Sequence, residues 1–237
     1  MEYTHELSLV IPFYNEEENI EKVVNQMINK LKEEKIDYEL IIVDNGSWDN
    51  TTKLSKAMGE KHEQVKVVRV EKNEGYGWGI INGLKICKGK YLGWMGGDDQ
   101  NSPEDVVLVF KKLKQENINL CKVSRIIRHD GIIRKIMSAG YNKLFCLFFP
   151  ISSKDINGSP KIMRQKCYKE LNLLSKDWFI DAEVMIKSGK LGYKIEEVPV
   201  EFKKRSGGSS NVGLLNTSFE FIKNLIKYKI GGLNGKK

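Results

Sequence analysis

Short apolar runs that alternate with helix-like segments constrain the fold of this chain more than any other feature. Each run is four to eight residues long, and turn or capping residues follow it, which is typical of buried strands. Regular alternation of strands and helices predicts a mainly parallel sheet with helices on its faces. The 237 residues suffice for one such domain with a sizeable core. Five runs of this kind occur, at residues 7–12, 38–44, 65–70, 90–95 and 119–124.

Helix signals follow several of these runs. Asn15 and Glu18 have the spacing of a capping box, which predicts a helix from Asn15 to about Glu34. The second half of the chain is less regular, and its strand and helix signals are weaker. Two further helices are predicted to begin at about Thr51 and at Pro103, and another is predicted to end at about Cys87. Helices are also predicted around 179–189 and over about 214–230, with an amphipathic stretch at 131–151 and a strand near 193–202.

Polar residues gather where three of the predicted strands end. They occupy positions 12–16, 44–47 and 97–100. Any one group could be no more than a helix cap or a turn, because Asn, Asp and Gly favour both. The carboxyl ends of parallel strands share one edge of a sheet, however, and ligands bind at that edge. Three groups there favour a ligand site.

The same residues form an ordered set of motifs that resembles the family 2 glycosyltransferases, and the nearest branch is similar to the polyprenyl-phosphate (dolichyl-phosphate) sugar synthases. The likeness is most specific over residues 7–110 and continues more loosely to a loop rich in glycine and serine at residues 206–210. It implies a GT-A-type single domain with the nucleotide site at the carboxyl edge of the strands. The motifs are Pro12-x-Tyr14-Asn15-Glu16, Val43-Asp44-Asn45-Gly46-Ser47-x-Asp49-x-Thr51, Asn73-x-Gly75, Asp98-x-Gln100-x-x-Pro103-Glu104, Ser124-Arg125, Asp155 with Gly158, Phe179-x-x-Asp181-x-Glu183 and Arg205-x-x-Gly208-x-Ser210.

The resemblance also implies a division of the chain. Residues 1–212 would form the GT-A domain, with a nucleotide-binding half at about 1–118 and an acceptor half at about 119–212. Residues 213–237 would form a basic amphipathic helix and tail. A carboxylate can accept hydrogen bonds from a base or a ribose, and a tyrosine ring can pack on either. The implied nucleotide-binding residues are Pro12, Tyr14, Glu16, Ile42, Asp44, Gly97 and Asp98.

A divalent metal, Mg²⁺ or Mn²⁺, is implied at the end of the fourth strand. Carboxylate and amide oxygens suit such an ion, which offsets the charge on a departing diphosphate. The family has Asp-x-Asp-x-Gln here, whereas this chain has Gly96, Asp98 and Gln100. Asp98 and Gln100 are the predicted ligands. Asp99 is adjacent, but its side chain is expected to point the other way if the backbone is extended.

Three residues are predicted to act on the diphosphate or the acceptor. Arg125 and Arg205 are the cations expected against phosphate oxygens, because guanidinium groups bind them bidentately. Arg134 is a further candidate, and Asn211 stands where the family has a lysine. Asp181 takes the position of a catalytic base in many family members. It would take a proton from an alcohol acceptor, but would only orient a phosphate, which is already ionised near neutral pH.

Charge and apolar patterning suggest contact with an anionic partner. The formal net charge is +8, and from Lys203 onward eight basic residues face one acid, Glu220. A membrane surface could bind this tail together with the apolar stretch from Tyr141 to Ile151. The predicted C-terminal helix has apolar residues at helical spacing, and such a stripe is equally typical of a helix docked on its own protein. The stripe consists of Phe219, Ile222, Leu225, Ile226 and Ile230. The longest apolar run is too short to span a bilayer and no signal peptide is evident. We therefore expect a cytoplasmic protein with peripheral contact to the inner face of the cell membrane.

The sequence thus predicts an inverting hexosyltransferase that uses a nucleotide sugar, either GDP-mannose or a UDP-hexose, with polyprenyl phosphate as the acceptor. One alternative is transfer to a sugar hydroxyl during synthesis of a cell-surface polysaccharide or lipopolysaccharide. A second is a non-catalytic nucleotide-sugar binder, which the glycine at position 96 leaves open. Nucleic-acid binding is not favoured, because the basic residues lack interleaved aromatic side chains.

Overall fold

The computed structural model describes residues 3–115, 117–129, 131–203 and 214–231. The strands are β1 (His5–Phe13), β2 (Tyr38–Asp44), β3 (Val65–Arg69), β4 (Gly89–Trp94), β5 (Leu120–Arg128), β6 (Lys161–Arg164) and β7 (Ile195–Phe202). The helices are α1 (Ile20–Glu33), α2 (Thr51–Lys61), α3 (Tyr76–Ile86), α4 (Pro103–Leu113), α5 (Ile132–Phe148), α6 (Gln165–Leu171), α7 (Ile180–Lys190) and α8 (Leu214–Lys229).

All of these strands belong to one seven-stranded sheet with the order β3-β2-β1-β4-β6-β5-β7. Pairing is parallel between β1 and β2, β1 and β4, β2 and β3, and β5 and β7. Strand β6 is antiparallel to both of its neighbours. The predicted α/β class with a mainly parallel sheet is confirmed, and the carboxyl ends of β1, β2 and β4 lie side by side.

Two apolar clusters cover the two faces of this sheet. Alternate residues of a strand point to opposite faces, so Leu9 and Ile11 enter one cluster while Val10 enters the other. Helices α1 and α4 complete the first cluster. Helices α3, α5 and α7, with part of α8, complete the second. The result is a helix–sheet–helix arrangement that leaves the strand ends as the accessible edge.

The predicted start of α1 requires correction, whereas α4 begins at Pro103 as predicted. Helix α1 begins at Ile20, and the capping box predicted at Asn15 and Glu18 does not form. Asn15 instead has a φ of 54° and accepts a hydrogen bond from the Trp48 backbone at 3.0 Å. At α4 the cap is Ser102, in a reciprocal capping box with Asp105, so the aspartates that precede it are not needed as caps.

Helix α8 docks on the protein through part of its apolar face, while Ile222 and Ile226 on the same helix and Ile230 just after it remain exposed. Leu225 and Tyr228 are buried, and the Tyr228 ring lies 6.0 Å from Phe149 and 5.7 Å from Phe179. Tyr141 is buried as well. Within the stretch from Tyr141 to Ile151, Phe145 and Phe149 also pack inside the protein, whereas Leu147 is 78% exposed. Membrane contact by this stretch stays a prediction.

A further group of exposed apolar side chains lies at the end of β5 and the start of α5. Five isoleucines between residues 126 and 136 are each at least half exposed. Within the described part of the chain, no helix is both long enough and apolar enough to cross a bilayer. The exposed isoleucines are Ile126, Ile127, Ile132, Ile133 and Ile136, which we call the isoleucine surface.

Candidate active site

The loops that follow β1 and β2 are joined into one unit at the edge of the sheet. The backbone N–H of Asn15 donates to the Ser47 hydroxyl at 3.1 Å, and that of Glu16 donates to the Thr51 hydroxyl at 2.9 Å. The Glu16 carboxylate is 8% exposed and accepts a hydrogen bond from the Asn19 amide at 2.6 Å. Two predicted nucleotide loops therefore form a single surface, with their acidic side chains fixed in place.

Asp44, at the end of β2, is nearly fully buried and is held by three donors. Its Oδ1 accepts from the Ser47 backbone at 3.0 Å, and its Oδ2 accepts from the Thr52 hydroxyl at 2.6 Å. Arg69 on β3 forms an ion pair with Oδ2 at 2.7 Å. Sequence analysis did not identify Arg69, because a lone arginine in an edge strand carries no distinguishing signal. The arrangement fixes the Asp44 carboxylate at the carboxyl edge.

The remaining predicted nucleotide residues lie at the same edge, with one exception. A Cβ atom on Gly97 would lie 2.6 Å from the Phe13 ring and 2.8 Å from the Pro12 carbonyl, so only glycine lets these loops approach so closely. Tyr14 is half-buried beside them. Ile42 differs from the others because it is fully buried within the core. A role for Ile42 in nucleotide binding stays a prediction, and its burial allows only an indirect one.

Asp98 and Gln100 are brought together on the segment after β4. Asp98 is half-buried, and its Oδ1 accepts from the Gln100 backbone at 3.3 Å. The Gln100 Nε2 donates to the Lys203 carbonyl at 3.1 Å, so only its amide oxygen can serve as a metal ligand. Both available donors are thus oxygens, the type that Mg²⁺ and Mn²⁺ prefer. The donor set fits a divalent ion of the predicted kind.

Asp99 does not take the place of the aspartate that position 96 lacks. The extended backbone considered for Asp99 is not found, because its φ is 61°. Its carboxylate pairs with Lys22 on α1. A Cβ on Gly96 would lie 3.3 Å from the Asp98 Oδ1. Among the described residues, no three His, Cys, Asp or Glu side chains are grouped as a metal cluster. A metal here would depend on Asp98, Gln100 and oxygens from the nucleotide or solvent.

Arg125 on β5 forms a bidentate pair with Asp155. The Nε and Nη2 atoms of Arg125 donate to the two carboxylate oxygens at 2.6 and 2.8 Å. Burial by itself would raise the pKa of Asp155. The charge and hydrogen bonds of Arg125 outweigh that effect and hold the pKa well below its usual range. Asp155 therefore fixes the guanidinium orientation, which leaves a role for Arg125 on phosphate as a prediction.

Asp181 lies in the first turn of α7, is 5% exposed and pairs with a lysine that sequence analysis did not identify. The Lys161 Nζ is 2.6 Å from the Asp181 Oδ1 and is fully buried. Burial raises the pKa of the Tyr76 phenol well above its usual value, and the negative charges of Asp181 and Asp98 raise it further. Lys161 pairs in the sheet with Trp94, the last residue of β4, so the ion pair with Asp181 lies next to the strand whose following segment carries Asp98.

The Tyr76 ring stacks on Trp178, with centroids 4.4 Å apart and an interplanar angle of 17°. Trp178 belongs to the loop before α7. The buried Glu183 carboxylate holds this loop by accepting hydrogen bonds from the backbones of Leu174 and Ser175, the latter at 2.8 Å. The motif with Asp181 and Glu183 therefore has one carboxylate in the site and one that organises the neighbouring loop.

Some predicted residues fall outside what the structure describes. Arg205 and Asn211 lie outside the described residues, as does the side chain of Arg134. Their predicted roles are unchanged.

Comparison with known proteins identifies the relatives of this chain. A family model described as Glycosyl transferase family 2 matches residues 8–172. The chain is 30% identical over 226 residues to a dodecaprenyl-phosphate galacturonate synthase of Rhizobium johnstonii, covering 93% of this chain and 65% of that protein. It is 26% identical over 240 residues to a dolichyl-phosphate beta-glucosyltransferase of Trichomonas vaginalis, covering 95% of this chain and 74% of the relative.

The fold is also that of a solved enzyme. Glucosyl-3-phosphoglycerate synthase from Mycobacterium tuberculosis, crystallised with Mn²⁺, UDP and phosphoglyceric acid, matches with a TM-score of 0.75 at 21% identity, covering 96% of this chain and 79% of the other. At that identity the match establishes the fold. The family model, which matches well over half of the chain, establishes the family: this protein belongs to glycosyl transferase family 2.

Proposed function

We propose that this protein transfers a hexose from a nucleotide sugar, GDP-mannose or a UDP-hexose, to a polyprenyl phosphate at a membrane surface, with inversion at the anomeric carbon. The observation that carries the proposal is that Asp181 pairs with Lys161, which lies opposite Trp94 at the end of β4, the strand whose following segment carries Asp98 and Gln100. The two relatives named above carry lipid-phosphate acceptors in their names, which supports the same class of acceptor here.

In this proposal the loops after β1 and β2 bind the nucleotide. Glu16 and Asp44 would accept hydrogen bonds from the base or ribose, and Tyr14 would pack against one of them. Asp98 and Gln100 would hold Mg²⁺ or Mn²⁺ through their oxygens. When bound, the ion offsets the charge that develops on the departing diphosphate. These residues together fix the donor with its anomeric carbon facing the acceptor half.

The acceptor phosphate would attack that carbon from the face opposite the diphosphate. One C–O bond to the lipid phosphate forms while the bond to the diphosphate breaks, and the nucleoside diphosphate leaves with the bonding electrons. A phosphate monoester has a second pKa of about 6, so it is already a nucleophile at neutral pH. Asp181 would then orient the reacting groups, and Arg125 and Arg205 would bind phosphate oxygens.

The isoleucine surface provides the proposed membrane contact. Apolar side chains exposed together mark protein or membrane contact surfaces in soluble proteins. Ile132, Ile133 and Ile136 are 74%, 64% and 66% exposed, and they follow closely on the strand that carries Arg125. A polyprenyl phosphate keeps its head group at the membrane surface, so an apolar contact beside a phosphate-binding site suits that acceptor. Replacing all three by serine should reduce sedimentation with lipid vesicles, whereas Leu108→Ser, on the exposed face of α4, should not.

Release of nucleoside diphosphate tests the proposed reaction. Purified protein is incubated with a panel of GDP and UDP sugars and Mg²⁺ or Mn²⁺, with and without polyprenyl phosphate in detergent. Release that depends on the lipid phosphate and disappears with EDTA is the expected result. Nucleotide binding without turnover under any acceptor would support the non-catalytic binder instead.

A second candidate, transfer to a sugar hydroxyl of a cell-surface polysaccharide or lipopolysaccharide, is favoured by one observation. Asp181 is a buried carboxylate held by an ion pair with Lys161, and transfer to an alcohol acceptor needs a base of this kind. The variant Asp181→Asn separates the two reactions. A hydroxyl acceptor should lose general-base catalysis, worth about 10²- to 10⁴-fold, whereas a lipid phosphate should lose less.

A further inference from the structure

Three carboxylates and three cations form a buried cluster where β5, β6, β7 and α7 meet. Each cation has its own carboxylate partner, so the cluster is neutral overall. Lys122 and Lys161 are both fully buried, which is unusual for lysine. The pairs are Lys122 with Glu197 at 3.0 Å, Arg125 with Asp155 at 2.6 Å, and Lys161 with Asp181 at 2.6 Å.

Two of these pairs join parts of the scaffold. Lys122 donates to the Val123 carbonyl at 3.0 Å and to the Asp155 carbonyl, and its partner Glu197 also accepts from the Lys154 backbone at 3.0 Å. Together with the Arg125–Asp155 pair, these contacts fix the loop before β6 to β5 and β7. These structural contacts explain why a charged lysine is buried at position 122, so no role in the reaction needs to be assigned to it.

The Lys161 pair is different because its carboxylate is a predicted site residue. Lys161 is the first residue of β6 and pairs in the sheet with Trp94, the last residue of β4. The segment after Trp94 carries Asp98. The Lys161 Nζ also donates to the Gly158 carbonyl at 2.6 Å, so its position is fixed on the strand side as well as by Asp181. The Lys161 ammonium is therefore held in one position, from which it contacts Asp181.

We propose that Lys161 is a positioning residue, which compensates the charge of the Asp181 carboxylate and holds it in a single orientation within the site. Buried ion pairs rarely stabilise a fold more than apolar side chains of the same volume would, so a role in function is a reasonable explanation for one at this place. The proposal rests on the proposed function, because it requires that Asp181 contributes to transfer.

Several titratable groups surround the Lys161–Asp181 pair and contribute to the pH dependence of its charges. Burial lowers the pKa of Lys161 to about 8, against the opposing effect of Asp181, and the charge of Lys122 lowers it further. The ammonium is therefore charged at neutral pH but loses its proton in mildly alkaline solution. The groups that face the pair are Tyr76 from α3, Tyr141 from α5, Lys122 from β5 and Asp155 from the loop before β6.

Removing the Lys161 charge should change the pH profile of turnover in a defined direction. Without Lys161 the buried Asp181 carboxylate loses the positive charge that compensates its ionised form. In Lys161→Met the acid limb of kcat should therefore move to higher pH, and kcat should fall by more than tenfold while KM for the nucleotide sugar changes less than threefold. Lys161→Arg keeps the charge, so it should leave the acid limb in place and lose any alkaline limb near pH 8.

Lys122→Met is the matched control, since it removes another fully buried lysine from the neighbouring strand and leaves Asp181 paired. It should lower the melting temperature without moving the acid limb. The double variant Lys161→Met with Asp181→Asn removes both charges and leaves neither one buried alone. Its kcat should be no lower than that of Asp181→Asn, and this comparison holds even if Lys161→Met alone does not fold.

The outcomes separate this proposal from the one on which it rests. A fully active Asp181→Asn would remove the role of Asp181, and with it the role proposed for Lys161. An impaired Asp181→Asn, combined with an unmoved acid limb in Lys161→Met or with losses that multiply in the double variant, would overturn the Lys161 proposal alone. The same shift in Lys122→Met would show that the effect is one of general stability.

Discussion

Asp155→Asn should destabilise this protein strongly, because it removes the partner of a cation that the fold has largely buried. The Arg125 side chain is 12% exposed and that of Asp155 is 6% exposed. Asp155 accepts from the Arg125 backbone at 3.1 Å as well as from its guanidinium. Breaking a buried pair at one partner costs about 3–5 kcal/mol, since the remaining charge is left uncompensated. At about 2–4 °C per kcal/mol for a chain of this size, the melting temperature should fall by roughly 6–20 °C.

The assay is thermal unfolding followed by circular dichroism across a range of pH. The folded pKa of Asp155 is depressed, so the pair contributes fully above the unfolded value of about 3.9 and is lost as the pH falls below it. The difference between the variant and the unaltered protein should therefore be largest at neutral pH and shrink below about pH 4.

A matched control is available on the surface. Glu34→Gln removes a carboxylate that pairs with the largely exposed Lys111, and exposed pairs contribute about 0–1 kcal/mol. If Asp155→Asn shifts the melting temperature no more than Glu34→Gln does, or if its effect is the same at pH 7 and pH 3.5, the reasoning about the buried pair is wrong.

Two other changes probe the metal site and the loop before α7. Gly96→Asp should tighten Mn²⁺ binding, measured by calorimetry with nucleoside diphosphate present, because the new carboxylate would lie beside the Asp98 oxygen. Gly96→Asn, of equal size but uncharged, should give a smaller gain, and equal gains would contradict the charge argument. Glu183→Ala should lower the free energy of unfolding by about 1–3 kcal/mol for each backbone donor left without a partner. Glu183→Gln, which keeps an acceptor, should lose less in the same denaturant titration, and it should change Trp178 fluorescence less.

The first half of the fold follows closely from the sequence because its central strands β1, β2 and β4 are largely buried on both faces. The run at residues 38–44 is β2 without a change of boundary, and the helix predicted from Pro103 begins there. Such runs are continuous, and their ends coincide with proline, glycine or asparagine, so local signals agree with the global arrangement.

The second half was less predictable for physical reasons. Strand β6 has four residues with a lysine at one end and an arginine at the other, so it carries no apolar period. Its strand character comes from pairing with β4 and β5, which are distant in the sequence. For the same reason the sequence did not predict that an antiparallel strand, β6, lies between β4 and β5.

The site shows the same division. The acidic and amide residues could be identified because they occur in ordered motifs. The buried or partly buried cations Arg69, Lys122 and Lys161 could not, since each is a single residue whose carboxylate partner is fixed only by the fold. A lysine inside an otherwise apolar run, as at Lys122, is the one local sign of a buried cation.

The most direct test of the proposed reaction is the structure of its lipid product. The protein is incubated with a sugar-labelled nucleotide donor, Mn²⁺ and polyprenyl phosphate, and the lipid fraction is analysed by mass spectrometry and by NMR of the anomeric proton. The account predicts a hexosyl polyprenyl phosphate, formed in equal amount to the released nucleoside diphosphate and with the anomeric configuration opposite to that of the donor. Released nucleotide without label in the lipid fraction, or a product that retains the donor configuration, would contradict it.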